Sequence, residues 1–158
     1  MKTIKLLIIV ALLMPLVANA QSSRSASSAA QTEDSKYPRY NDSEAAQLWM
    51  KWKRNEPFTQ SNYARVIDLC DASFEYLADE IQNIIATSTT QTQRNKKALT
   101  LDTGITSNMS NFSRTFAIRV QNLAAKGKLN PENTHLVAEM LKKKKRYMEL
   151  NQQMYHPN

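Results

Sequence analysis

The chain has 158 residues, with 21 Lys and Arg against 14 Asp and Glu, and a formal net charge of +7. It has only two glycines, which argues against sandwiches and barrels because their tight turns usually need glycine. Its single cysteine excludes an internal disulfide framework. We therefore predict an all-α protein with one domain-sized hydrophobic core, folded as a mostly antiparallel helical bundle.

Residues 1–20 have the pattern of a cleaved signal peptide. Lys2 and Lys5 precede an almost wholly apolar stretch at 6–17, and an Ala-Asn-Ala sequence then supplies the small residues that a signal peptidase needs. The mature chain would begin at Gln21 with 19 basic and 14 acidic residues, a net charge of +5. The apolar stretch is shorter than the roughly 20 residues of a transmembrane helix. We predict an exported protein, periplasmic or associated with the cell surface, with no transmembrane segment.

Residues 21–40 are predicted to form a flexible tether and strap. The segment is rich in Ser and Ala and has almost no apolar side chains to bury until Tyr37. Because Pro38 disfavours helical dihedrals in the residue before it, we expect residues 37–40 to be extended. The helical bundle domain is then predicted to occupy residues 41–158.

The first predicted helix is short and rich in tryptophan. Asn41 can cap its first turn, Glu44 has the spacing of a capping box, and the helix is expected to end before Pro57. One apolar face follows from helical spacing: Ala45, Leu48, Trp49 and Trp52. We expect this helix to lie across longer helices, and we identify Trp49 and Trp52 as candidate partner contacts.

The second predicted helix has the clearest apolar pattern in the chain. Thr59 is its expected cap, and apolar residues then alternate at spacings of four and three over three heptads. This predicted seam consists of Tyr63, Ile67, Cys70, Phe74, Leu77, Ile81 and Ile84. Since Cys70 lies within the seam, we predict that it is a buried core residue rather than a cross-link to a partner.

A polar segment at 87–92 predicts a turn before the third helix. That helix is expected to bury a face with the following members: Leu101, Ile105, Met109, Phe112, Phe116, Val120 and Leu123. Gly104 marks a kink, a close helix crossing or the true start of the helix. These three alternatives stay open at the level of sequence.

The connection to the fourth helix is better defined. Gly127 suits the left-handed position that ends a helix, Asn130 is a good cap, and Pro131 suits a first turn. So short a link predicts antiparallel neighbours. The fourth helix is expected to run to about Tyr155 with this apolar face: Leu136, Met140, Tyr147, Leu150 and Met154.

Five consecutive cations on the fourth helix are the most unusual local feature. This basic run consists of Lys142, Lys143, Lys144, Lys145 and Arg146. Five successive helical positions point in all directions, so the five cations cannot all lie on one solvent-facing side. A solvated helix that simply carries excess charge is one interpretation of the run. The run is also a candidate dock for an acidic partner or an anionic surface. Nucleic acid is not expected, because aromatic residues for base stacking are sparse nearby.

Four carboxylates on the second helix form a stripe beside the apolar seam. This acidic row consists of Asp68, Asp71, Glu75 and Asp79. We expect it to pair with Arg or Lys of a neighbouring helix and so to fix helix register. Binding of a divalent cation is the alternative, although one straight helix rarely surrounds a metal with enough oxygens.

No motif in the chain predicts catalysis, a metal or a cofactor. Glu132 and His135 have the Glu-x-x-His spacing of di-iron bundles, but that site needs a second copy and two further glutamates. The remaining histidine, His156, has no matching motif. Hydrolase, phosphate-loop and paired-cysteine signatures are absent from the sequence. We therefore predict a non-enzyme without a small-molecule substrate.

These observations favour an exported interaction protein of the bacterial envelope. In size, helical content and export signal the chain is similar to accessory subunits of conjugative or type IV secretion machines. Its expected partner is an envelope protein, and self-association through the heptad seam is an open alternative. A second hypothesis is a protein that binds polyanions or membrane surfaces through the basic run. A third is a small periplasmic chaperone or inhibitor.

Overall fold

The computed structural model describes residues 36–156, and this part of the chain is all helical. Its five α-helices are Asp42–Lys53 (α1), Gln60–Ala86 (α2), Gln91–Ala98 (α3), Gly104–Ala125 (α4) and Pro131–Tyr155 (α5). The prediction of an all-α bundle is confirmed. No helix among residues 36–156 combines the length and apolarity needed to cross a bilayer. The predicted signal peptide and residues 21–35 of the tether lie outside the described residues.

The three long helices alternate in direction along the chain. Helix α4 runs antiparallel to α2, and the short link at 126–130 turns α5 antiparallel to α4. Helices α2 and α5 therefore run parallel, with their first turns joined where Asn133 Nδ2 donates a hydrogen bond to Gln60 O at 2.9 Å. Both α4 and α5 pack against α2, which makes α2 the centre of the bundle.

Burial on α2 extends well beyond the predicted seam. Of the seven seam residues only Tyr63 is partly exposed, so the predicted face is confirmed. Neighbours on three sides cover further positions, which are Val66, Leu69, Ala72, Ser73 and Ala78. Cys70 is fully buried, as predicted, and burial raises the pKa of its thiol.

Helix α1 begins where the capping residue predicts. The Asn41 side chain accepts a hydrogen bond from the Glu44 N–H at 2.9 Å. The expected reciprocal bond of the capping box is replaced, because both Glu44 carboxylate oxygens accept from Arg65 of α2, at 2.8 and 2.6 Å. The predicted apolar face packs on the core through Ala45, Leu48, Trp49 and Trp52.

The segment before α1 is a turn rather than the expected extended strap. The Tyr40 N–H donates to Tyr37 O at 2.9 Å, which places Pro38 at the second position of the turn, where its fixed φ fits. Tyr37 and Tyr40 are both buried in the core. Burial of the two tyrosines explains why this short segment is held against the bundle.

The prediction of one long helix after the polar segment was incomplete. Helix α3 forms first, capped by the Thr90 side chain, and a 3-10 turn at Leu99–Asp102 then leads into α4. Within α3 only Ala98 is buried, so the segment carries no apolar periodicity that could have indicated it. Gly104, with a φ of 56°, is the first residue of α4, which settles the three alternatives for this glycine.

The link between α4 and α5 has the predicted geometry. Gly127 has a φ of 63°, its N–H donates to Ala124 O, and the Lys128 N–H donates to Leu123 O. These two bonds satisfy carbonyls that the helix end leaves free. Asn130 caps α5 through the Asn133 N–H at 2.8 Å, and Pro131 is the first helical residue.

We expect Gly127→Ala to lower the free energy of unfolding by about 1 kcal/mol. A Cβ at this position meets nothing within 4 Å, so the cost arises from the left-handed backbone alone. Gly127→Asn should cost less, because Asn tolerates this conformation. Urea denaturation of the three proteins checks the order, and an Ala variant as stable as the parent would contradict it.

The predicted apolar face of α5 is confirmed except at Leu136, since its other four residues pack against the core. Leu136 is exposed, whereas Val137 is buried together with Met140 and Met154. The register is set by Asn133, a buried polar residue whose side chain bonds to α2. A hydrogen bond of this kind leaves no signature in apolar spacing.

Candidate interaction site

The structure divides the basic run between an inner and an outer side of α5. Lys143 Nζ lies 2.6 Å from Asp71 Oδ2 and 2.7 Å from Glu75 Oε2 of α2. Arg146 Nη2 lies 2.9 Å from Asp79 Oδ1. The predicted pairing between the acidic row and cations of a neighbouring helix is therefore confirmed.

The acidic row also receives a cation from the turn that precedes α1. Arg39 Nη2 lies 2.8 Å from Asp71 Oδ2, and Arg39 Nη1 lies 2.6 Å from Glu75 Oε2. These two carboxylates thus join Arg39 to Lys143, and we call the four residues the ionic clasp. The hydrogen bond to Asp71 is the main cause that raises the pKa of Arg39. Burial lowers the pKa of Lys143, but bonds to both carboxylates outweigh it and raise the pKa overall.

The other three cations of the basic run have no carboxylate partner on α2. Lys142 pairs within α5 with Glu139 at 2.7 Å, and Lys145 lies 3.9 Å from Glu149. Both lysine side chains are largely exposed, as expected of weak surface pairs. Lys144 has no carboxylate within 4 Å among residues 36–156. It lies instead on the border of a groove.

Both tryptophans contribute to an aromatic cluster around Phe116 of α4. The ring centroids of Trp49 and Trp52 each lie 5.8 Å from that of Phe116, in edge-to-face arrangements. The two tryptophans are partly buried against the core. Arg119 lies over the Trp52 ring at 6.0 Å. Trp49, by contrast, lines the groove that Lys144 borders.

An open depression of about 1020 Å³ lies between α4 and α5, and we call it the α4/α5 groove. The residues that line it are Trp49, Phe74, Asn111, Arg114, Thr115, Ile118, Lys144, Tyr147, Met148 and Asn151. Phe74 of α2 is a buried core residue that lies beneath the groove. The Tyr147 ring packs against the Phe74 ring, with the two ring centroids 5.7 Å apart. Ile118 and Met148 are 56% and 57% exposed. Single exposed apolar residues are common, but these two line the same groove, beside the partly buried ring of Tyr147.

The charged lining of the groove is positive. Arg114 of α4 and Lys144 of α5 are its two ionised residues, and neither has a carboxylate within 4 Å in the described part of the chain. Burial is the main cause that raises the pKa of Tyr147, so its hydroxyl stays protonated at neutral pH. The groove therefore offers apolar surface, a neutral phenol and two unpaired cations.

The apolar surface continues toward α1. A smaller pocket of about 280 Å³ shares Trp49 and Asn111 with the groove and reaches Met50, which is itself exposed. Trp49 thus lies at the junction of the two depressions. The candidate partner contact predicted at Trp49 lies in this surface, whereas Trp52 belongs to the aromatic cluster.

The metal-ligating and nucleophilic side chains of the described residues are dispersed or buried. No group of three or more His, Cys, Asp or Glu side chains within residues 36–156 is placed to hold a metal ion. Glu132 and His135 are exposed on the first turns of α5. Cys70 is enclosed in the core, where its protonated thiol is a poor nucleophile.

The sequence did not identify the α4 wall of the groove. Ile118 fits none of the apolar positions predicted for this helix. An apolar residue outside the predicted buried face was therefore the one sequence signal that could have indicated this wall. Arg114 carried no signal, because an isolated Arg on a helix is most often simply solvated. The basic run did indicate the opposite wall, although only Lys144 of its five residues borders the groove.

Comparisons with protein families, curated proteins and solved structures find no match to this chain.

Proposed function

We propose that this chain is a non-enzymatic exported interaction protein, an accessory or structural component of a bacterial envelope assembly such as a secretion or conjugative transfer machine. The observation that carries the proposal is the α4/α5 groove, which leaves Ile118 and Met148 exposed beside the partly buried ring of Tyr147. Export rests on the leader pattern at residues 1–20. A helical bundle with an apolar groove is suited to hold a protein partner.

The distribution of cations supports a protein partner over a general polyanion. Lys143 and Arg146 are paired with carboxylates of α2, so part of the basic run neutralises the bundle itself. Binding to polyanions gains strength with the number of free cations that contact them. The run therefore offers fewer charges to an anionic surface than its sequence suggests.

A second candidate, binding to a polyanion or membrane surface, draws on the exposed outer side of α5. Lys142, Lys144 and Lys145 lie there or at the groove border, and both Lys142 and Lys145 are largely solvated. Salt separates the two candidates, because the Debye length falls from about 10 Å at 0.1 M to about 3 Å at 1 M. Binding that depends only on free lysines should be lost over that range, whereas binding through the apolar surface of the groove should persist when the charges at its border are screened.

The test is capture from solubilised cell envelopes with immobilised chain 21–158 at low and high salt. One variant changes Lys142 and Lys145 to Gln. It leaves Lys143 and Arg146 in place because they contact α2, and Lys144 because it borders the groove. A matched control removes the same charge elsewhere, by changing Lys96 and Lys126 to Gln. Circular dichroism first establishes that each variant is folded.

A protein captured in stoichiometric amount at high salt, which binds again after purification, supports the proposal. Recovery of only lipid, polysaccharide or nucleic acid, released by salt and by the lysine variant but not by the control, would replace it with the second candidate. Recovery of nothing under either condition would contradict both.

A further inference from the structure

The shape of the α4/α5 groove favours a helical occupant. Its walls are two antiparallel helices, and the residues that line it on α4 span 111–118, about 10 Å at 1.5 Å per residue. The described part of the chain contains no strand, so it offers no sheet edge to which an extended peptide could add. A helix placed between two helices can bury one apolar stripe on the floor and keep its other faces in solvent.

The charge of the groove favours an acidic occupant. Arg114 and Lys144 lie on opposite walls at similar distances along their helices from the connecting turn. The cations of the ionic clasp and Arg146 are all within 3.1 Å of a carboxylate, whereas these two have none within 4 Å among the residues that the structure describes. An occupant that carries carboxylates on both flanks of an apolar stripe would pair with both walls at once.

We propose that the α4/α5 groove binds an acidic amphipathic helix of a partner protein, with aliphatic side chains against Ile118, Tyr147 and Met148, and with carboxylates at Arg114 and Lys144. This inference rests on the proposed function, since it names the chemistry of the partner that the interaction protein would hold. An anionic lipid surface is the competing occupant, and it differs because a flat surface cannot reach the floor of a groove.

The test uses chain 21–158 and a designed peptide of about 15 residues, near the shortest length that forms a helix in water. The peptide has Leu at one helical stripe and Glu on both flanks, and a counterpart has Lys in place of every Glu. Binding is measured by fluorescence anisotropy of labelled peptide, and the Ile and Met methyl resonances locate it. Vesicles of phosphatidylglycerol are tested in parallel.

The key variant is Arg114→Glu with Lys144→Glu, which reverses the charge of both walls. The matched control is Lys96→Glu with Lys128→Glu, the same change of charge at exposed positions outside the groove. The parent and the control should bind the acidic peptide at least about tenfold more tightly than the basic one. The groove variant should reverse that preference, and methyl shifts in the parent should concentrate at Ile118 and Met148.

Three results would overturn the inference. The parent could bind both peptides equally or neither, the groove variant could keep the preference of the parent, or binding could be confined to the vesicles. The groove variant is also tested in the envelope capture experiment. If it captures the same protein as the parent, the interaction function stands and the groove is not its site. If the parent captures nothing, the proposed function itself fails.

Discussion

Phe116→Ala is expected to lower the free energy of unfolding by about 3–5 kcal/mol, a larger loss than we expect from any other single substitution that we propose. Phe116 has no solvent exposure, and its ring lies within 6.4 Å, centroid to centroid, of four others, those of Trp49, Trp52, Phe58 and Phe112. These rings come from α1, from the segment before α2 and from α4 itself. Truncation opens a cavity at a junction of three segments that cannot all move inward together.

Urea denaturation measures this loss, and tryptophan fluorescence reports on the site because both tryptophans contact the ring. Ile118→Ala is the matched control, two residues further along the same helix on an exposed side chain. Ile118→Ala should lower the free energy of unfolding by less than about 1 kcal/mol, because the exposed Ile118 side chain buries little apolar surface and its truncation leaves no cavity in the core. Equal costs for the two variants would mean that the aromatic cluster does not hold α1 on the bundle. The loss of unfolding free energy in Phe116→Leu should lie between those of the two Ala variants. It shows whether the loss follows the side-chain volume removed from the core.

Local rules account for most of the fold that the sequence predicts. Caps at Asn41, Thr59 and Asn130 and the left-handed Gly127 each depend on atoms within a few residues of chain, so their geometry follows from the local sequence. The seam of α2 is equally clear because a central helix must bury an apolar stripe whichever neighbours it has. What these rules leave open is which helices are neighbours.

The site depends on that missing information. Lys143 and Lys144 are adjacent in sequence and identical in chemistry, yet Lys143 pairs with α2 and Lys144 borders the groove. Successive helical residues point about 100° apart, so the two lysines meet different surroundings once α5 is packed against α2. The bonds between Asn133 and Gln60 help to fix that packing, and they are visible only in three dimensions. The extended strap was predicted wrongly for the same reason, because burial of Tyr37 and Tyr40 needs a partner surface.

The two sides of α5 have different roles in this arrangement. The inner side, with Lys143 and Arg146, carries charges that pair with α2, while the groove side leaves Lys144 unpaired beside Met148. The basic run is therefore partly structural and partly available to a partner. Any variant that removes the whole run would combine loss of stability with loss of binding, and the two effects have to be measured separately.

Asp71→Ala is expected to lower the free energy of unfolding by about 1–2 kcal/mol, the second largest effect that we predict. The loss measures how much the ionic clasp on the inner side of α5 stabilises the bundle. Asp71 is only 14% exposed and accepts from both Arg39 and Lys143. Its removal leaves Lys143, which is partly buried, to share Glu75 with Arg39, whereas Arg39 keeps its ion pair with Asp68. The loss is smaller than for a fully buried pair because solvent reaches Arg39 and Lys143.

Asp79→Ala is the matched control, the same chemical change on the same helix, at a side chain that is 57% exposed and has Arg146 as its ion-pair partner. Both substitutions replace Asp with Ala in a helix and so gain the same helix propensity, up to about 0.7 kcal/mol. The difference between their losses of unfolding free energy therefore reports the contribution of the ionic clasp. We expect the control to cost less than about 0.5 kcal/mol. A double-mutant cycle of Asp71→Ala with Lys143→Met should then show coupling that Asp79→Ala with Lys143→Met lacks. Equal losses at Asp71 and Asp79 would mean that the clasp does not stabilise the bundle, and that Lys143 is as free for a partner as Lys144.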